Sequence, residues 1–323
     1  MSNIFRTGFG RWRFRVVASV FVAIFSTAAL AEDCQLKRIA SLDASVSAYP
    51  FVTNAELEGK PVRVMIDTGT DYNVISEKDA QRLGLTIQQV GELVPPMFLG
   101  FEVRNTARNN KIRLGSTSFA GLPLILADDR LIDRSKYDMI LGAQFLSNFD
   151  LDLDLNFKRH KIDLFSPDHC EGKVVYWTQK YLETPVRIDR FGLIHFEVEL
   201  DGQKLNAMLD TGAVHSVLNE AVAQRLFSIP ASPDRVQVTV AGAAIPVFSH
   251  PFKRLAIDGL ALRDPEIYIG TPPATNKLYL AGGRFDSTSE KDPDLVLGLN
   301  TLQFLHLYVA TKEQKLYFSP AVD

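Results

Sequence analysis

The chain has 323 residues, 46% of them hydrophobic and 23% charged, with a formal net charge of −3. That length and apolar content can build a substantial core in one large or two medium domains, so disorder is excluded as an overall description. A mildly acidic balance without basic clusters argues against nucleic acid as a partner.

Residues 1–31 read as an export signal. Arg6, Arg11, Arg13 and Arg15 make a basic start, Val16 to Leu30 is an apolar run, and Ala29-Leu30-Ala31 is a small-x-small cleavage pattern. An apolar run of 15 residues is shorter than the ~20 that span a bilayer as a helix. The expectation is a signal cut after Ala31 and export to a periplasm or the medium, with a retained anchor as the alternative. No later segment is long and apolar enough to cross a membrane. Glu32 and Asp33 stand where a lipid-attachment site at Cys34 would need small residues. Cleavage would leave 31 Lys and Arg against 38 Asp and Glu, net −7.

Cys34, in a short N-terminal segment at 32–45, and Cys170 are the two cysteines of the chain. An even pair in an exported protein suggests one disulfide, worth ~4–5 kcal/mol in the chain-entropy model. Two separate buried thiols are the alternative. The spacing excludes a CxxC redox motif and a zinc cluster.

The body of the chain is written twice. Gly59 to Leu83 aligns without a gap on Gly202 to Leu226, at an offset of 143, with eleven of 25 positions identical. A second landmark follows each copy: Tyr137 to Gly142 (Tyr-Asp-Met-Ile-Leu-Gly) and Pro293 to Gly298 (Pro-Asp-Leu-Val-Leu-Gly). From Asp67 to Gly142 is 75 residues and from Asp210 to Gly298 is 88, so length varies in the loops between them. Unit one is read as 46–166 and unit two as 184–320, joined by a linker at 167–183.

Most segments have strand character: short apolar or alternating runs bounded by Gly, Pro, Asn and Asp. Val62–Ile66, Gly192–Leu200, Arg235–Val240 and Lys253–Ile257 are examples. Glu77–Leu83 and Glu220–Leu226 have helical composition. The expected fold is all-β, each unit a small closed or folded-over sheet. Asp150, Asp152 and Asp154 alternate with Leu151, Leu153 and Leu155. A two-residue period reads as a strand with acids on one face. No calcium loop is expected, because the Gly turn and twelfth-position Glu are missing.

The strongest chemical signal is Asp67-Thr68-Gly69 repeated as Asp210-Thr211-Gly212. One such tripeptide is a common structural turn. Two copies, each after an apolar run and before a hydrophobic-Gly landmark, can bring two carboxyls together across an approximate two-fold axis. Close enough, both cannot ionise, and the pair holds one proton. One carboxylate can then take a proton from water while the other acid hydrogen-bonds a carbonyl oxygen. Thr68 and Thr211 offer hydroxyls to the partner loop's backbone. Gly69 and Gly212 allow close approach to the carboxylates. Thr70 can add a bond to its aspartate and Ala213 cannot, so the two acids are expected to differ.

These residues resemble the retropepsin-like aspartic peptidases, and the plan of two lobes in one chain is similar to that of pepsin. The resemblance covers most of the chain beyond the signal. It implies a bilobal fold of two closed β-lobes, catalytic Asp67 and Asp210, loops packed by Ile140 to Gly142 and Val296 to Gly298, and flap hairpins over a cleft. Gly242 and Ala243 match a flap tip in unit two, and Gly100 and Phe101 a weaker one in unit one. Phe98, Phe101, Ile245 and Val247 are candidate apolar contacts near the flaps, with core packing the commoner role. Tyr72 and His215 read as loop-packing residues. The implied substrate is an extended polypeptide, with no cofactor. The copies differ at Thr70 and Ala213 and in loop length, which favours a monomer that pairs its own two units. The rival readings are a duplicated β-module that binds peptides without cutting them, and units that pair with copies in another chain. The six histidines show no H-E-x-x-H, and neither a G-x-S-x-G elbow nor a phosphate loop is present.

Overall fold

A computed structural model describes residues 35–44, 50–90, 97–98, 101–109, 111–127, 129, 132–156, 158–240, 243–271 and 292–321. Among them no helix is long and apolar enough to cross a membrane.

Each half begins with the same hairpin. Val52–Leu57 pairs with Lys60–Ile66, and Ile194–Leu200 with Gln203–Leu209, both antiparallel. The connecting pairs Glu58-Gly59 (φ 51° and 73°) and Asp201-Gly202 (φ 45° and 84°) are left-handed at both positions. That conformation matches the twist of the flanking strands. The strand predicted over Gly192–Leu200 starts at Ile194, because Gly192 (φ 89°) belongs to a turn closed by its N–H on Asp189 O at 3.0 Å.

The second strand of each hairpin ends at the aspartate. A short strand then follows, Val74–Ser76 or Ser216–Asn219, and a helix, Glu77–Leu83 or Glu220–Phe227. Ser76 and Asn219 cap these helices by accepting the N–H groups of Asp79 and Ala221. The apolar landmark strands thread between the two preceding strands. Met139–Leu141 runs parallel to Lys60–Ile66 and antiparallel to Val74–Ser76. Leu295–Leu297 does the same between Gln203–Leu209 and Ser216–Asn219. All six residues of the two landmark strands are buried.

The fold is a bilobal all-β arrangement in which each half has its own large sheet. A third sheet of six strands belongs to both halves, in the order Arg38–Asp43, Lys161–Phe165, Asp150–Asp154, Leu305–Ala310, Lys315–Pro320, Leu182–Pro185. At its centre the two halves meet antiparallel, with Leu151 opposite Val309 and Leu153 opposite Leu307. Sequence patterning predicts a separate sheet in each unit, and this shared one lies beyond it. Its leucine face packs into the main apolar core. Asp150, Asp152 and Asp154 lie on the other face as the two-residue period requires, and all three are buried.

Candidate active site

Asp67 sits where the Lys60–Ile66 strand stops, with its N–H held by Leu141 O at 3.0 Å. Asp210 is held the same way by Leu297 O at 3.0 Å. The landmark loop then closes under each aspartate. Ala143 N–H bonds Thr70 O at 2.7 Å, and Leu299 N–H bonds Ala213 O at 2.8 Å. Asn73 Oδ1 accepts from Gly142 N–H at 3.1 Å, and Ser216 Oγ from Gly298 N–H at 3.0 Å. A Cβ at Gly142 would sit 2.3 Å from Tyr72 O, and one at Gly298 2.7 Å from His215 O, so a side chain cannot stand there. Asn73 and Ser216 were missed from sequence, although the offset of 143 that aligns the aspartates also aligns them.

The two loops are tied by a reciprocal set of bonds. Thr68 Oγ1 donates to Leu209 O at 2.9 Å and accepts from Thr211 N–H at 3.1 Å. Thr211 Oγ1 donates to Ile66 O at 2.7 Å and accepts from Thr68 N–H at 3.1 Å. Every donor and acceptor in this buried crossing is satisfied, as its low dielectric requires.

This tie sets the carboxyls face to face. The Asp210 carboxyl lies over Gly69, and the Asp67 carboxyl over Gly212. A Cβ added at either glycine would come within 2.2 and 2.3 Å of the facing Cγ. Asp67 Oδ1 accepts from Gly69 N–H at 2.9 Å, and its Oδ2 accepts from Thr70 Oγ1 at 2.7 Å. Asp210 Oδ1 accepts the N–H groups of Gly212 and Ala213, both at 2.9 Å. Asp210 Oδ2 is buried without a hydrogen-bond partner.

Both carboxyls are fully buried. Burial pushes the Asp67 carboxyl up, and the bonds from Thr70 and Gly69 oppose this. Burial and then the charge of Asp67 push Asp210 well above the usual carboxylate range. Two buried carboxyls this close cannot both ionise, so the pair shares one proton. Tyr137, which opens the Tyr-Asp-Met-Ile-Leu-Gly stretch of the first half, lies in the same field: burial first, and also the charge of Asp67, push its phenol up to about 12. Sequence gave no sign of this, since the second copy has Pro293 there.

Of the expected flap segments, Met97–Phe98 pairs with Phe101–Glu102, Phe98 opposite Phe101. Val236–Val240 pairs with Ala243–Ser249, Val240 opposite Ala243. Phe101 and Ala243 open the returning strands. Gly100 and Gly242 lie outside the described residues. Ile245 and Val247 are buried in an apolar cluster with Met208 and Val217, where they pack the lobe. Tyr72 packs against the cluster that holds Val52 and Ile140, and His215 meets the Tyr268 ring edge-on at 5.1 Å. Cys34 lies outside the described residues, and among the described residues no cysteine is free. No group of three or more His, Cys, Asp or Glu among the described residues is placed to hold a metal ion.

Two similar β-lobes that each deliver one buried aspartate to a common proton define an aspartic-peptidase-like protein. The sequence profile of the aspartyl protease family matches residues 53–145 and 196–301, more than half of the chain, and the chain belongs to that family. Among solved structures it resembles basic 7S globulin from soybean. The likeness covers 89% of this chain and 96% of that one at 10% identity, with a TM-score of 0.48. No curated protein matches.

Proposed function

We propose that the protein is an exported aspartic endopeptidase. The observation that carries this reading is the facing of Asp67 and Asp210 across the two loops in a buried site. Asp67 takes a proton from a water molecule held between the acids. The hydroxide so formed attacks the peptide carbonyl carbon, while the Asp210 proton passes to the carbonyl oxygen. The resulting diol collapses when the proton on Asp67 moves to the amide nitrogen and the C–N bond breaks. The products are a carboxylic acid and an amine, and a diol proton returns to Asp210. The Gly69, Thr70, Gly212 and Ala213 donors hold both carboxyls in place throughout.

The substrate is an extended polypeptide, which can pair with exposed strand edges through main-chain bonds. A single chain suffices, since the Thr68–Thr211 crossing already joins both halves of the site. We place cleavage of the signal after Ala31, the first lobe at 46–166, the linker at 167–183 and the second lobe at 184–320. A Cys34–Cys170 disulfide belongs to the same reading, supported by the cysteine count and the expected compartment.

The test compares the purified protein with Asp67→Asn and Asp210→Asn on a peptide library, with a statine-type inhibitor as control. Cleavage by the parent alone, blocked by the inhibitor, is the expected result. Equal cleavage by all three would place the activity elsewhere. Binding of extended peptides without cleavage by the parent would make the protein a peptide-binding module.

A further inference from the structure

The shared sheet carries a second polar site on the side away from its leucines. A cavity of about 280 Å³ opens there, lined by strands of both halves and by the linker. At ~30 Å³ per water this is room for about nine waters, more than an ordered bridging water needs and near the lower end for small-molecule sites. It belongs to no part of the dyad.

The floor and the rim differ in charge. Asp152, Asp154 and Asp163 form the floor, and their side chains are 4%, 11% and 3% exposed. Arg38, Arg159 and Lys161 form the rim, at 53%, 45% and 36%. Asp163 Oδ2 accepts from Arg38 at 3.0 Å and meets Lys161 at 3.3 Å. Asp154 Oδ2 accepts from Arg159 at 2.9 Å. Asp152 is bonded by His306 Nε2 at 2.6 Å and by the Tyr176 hydroxyl. Trp177 stacks on His306 at 3.9 Å and fixes that wall.

Two features point to a ligand. Asp163 Oδ1 is buried and has no hydrogen-bond partner, which costs free energy unless a donor meets it. Arg38 and Arg159 each use one N–H on the floor acids, out of five that a guanidinium carries. The site thus offers a spare acceptor below and spare donors above. Three acidic side chains against three basic ones leave no net preference for a bare cation or a bare anion. A molecule that carries both charges matches each end.

We propose that the seam cavity binds a small zwitterion, a free α-amino acid, with its ammonium on Asp163 and its carboxylate at the Arg38 and Arg159 rim. The ligand would touch strands of the first half, and the His306 wall ties it to the second, so binding would act across the lobe boundary.

Calorimetric titration of the purified protein tests this with glycine, alanine, phenylalanine and lysine, against methylamine and acetate at matched ionic strength. At least one amino acid should bind saturably at one per chain, at least tenfold more tightly than either singly charged compound. Asp163→Asn should weaken that binding at least tenfold. Should Asp163→Asn fail to fold, Arg159→Met, an exposed rim change, should weaken it at least threefold. Absence of saturable binding of any amino acid would mean a cavity filled by water alone and would overturn the proposal. So would methylamine or acetate binding as tightly as the amino acids, or Arg159→Met binding like the parent.

Discussion

Gly69 and Asp210 are separated by less than a methyl group: a Cβ at position 69 would lie 2.2 Å from the Asp210 Cγ. The glycine is required by its partner in the other lobe, since its own turn needs no positive φ. Gly69→Ala should push the Asp210 carboxyl off the shared proton. Peptidase turnover should fall at least a hundredfold, while overpacking lowers stability by about 1–3 kcal/mol. Peptide hydrolysis and urea midpoints on one sample would separate the two effects. Wild-type turnover would show that the carboxyls do not need this spacing.

Thr68→Val keeps the shape of the side chain and removes the hydroxyl. Leu209 O and Thr211 N–H would both lose a buried partner. The expected cost is about 1–3 kcal/mol for each group left unsatisfied. Thr211→Val should cost a similar amount through Ile66 O and Thr68 N–H. The double variant should cost less than the sum of the singles, because the two hydroxyls belong to one crossing. Strict additivity of the denaturation midpoints would count against a coupled crossing.

The dyad sets a pH dependence of definite sign. The folded Asp210 carboxyl is raised well above its ordinary value of 3.8, so the native state binds more protons than the unfolded chain between the two values. Its contribution to stability is complete below the ordinary value and is lost as pH rises through the folded one. Asp210→Asn should remove this decline, giving urea midpoints that fall less with pH than those of the parent. Turnover should likewise fall on the alkaline side as the shared proton leaves. A rate flat from about pH 4 to about pH 9 would exclude a shared-proton dyad.

Asp79 should behave in the opposite sense. Burial pushes its carboxyl up, but the bonds from Arg134, Ser76 and Arg82 together hold it below the ordinary value of 3.8. Its contribution is therefore complete above that value and is lost as pH falls through the folded one. Asp79→Asn should cost on the order of 1 kcal/mol at neutral pH, since both arginines reach water and the pairing is screened. The parent and variant should converge in acid, as read by thermal melting at a series of pH values.

The dyad was legible because duplication wrote it twice: an offset of 143 aligns the aspartates, their glycines and the helices that follow. Local rules also fixed the helix over Glu77–Leu83, where Ser76 caps one end and Gly84 adopts φ 77° at the other. The shared sheet was not legible. The alternation in Asp150 to Leu155 gives the strand and its two faces, but not that its neighbour is Leu305–Ala310. Nor does it tell that the acidic face is covered. His306, which meets Asp152 there, lies 154 residues further along the chain. Pairings at that separation depend on how the two lobes dock, and no periodicity records docking.

The central contact of that sheet also governs what happens if the polypeptide is severed between the lobes. Each fragment would then carry a naked border, Asp150–Asp154 on one and Leu305–Ala310 on the other, with its amide and carbonyl groups unmatched. Neither piece should stay soluble by itself. Co-expressed, they should recognise each other through those complementary margins and rebuild the whole by reassembly, as a split protein does.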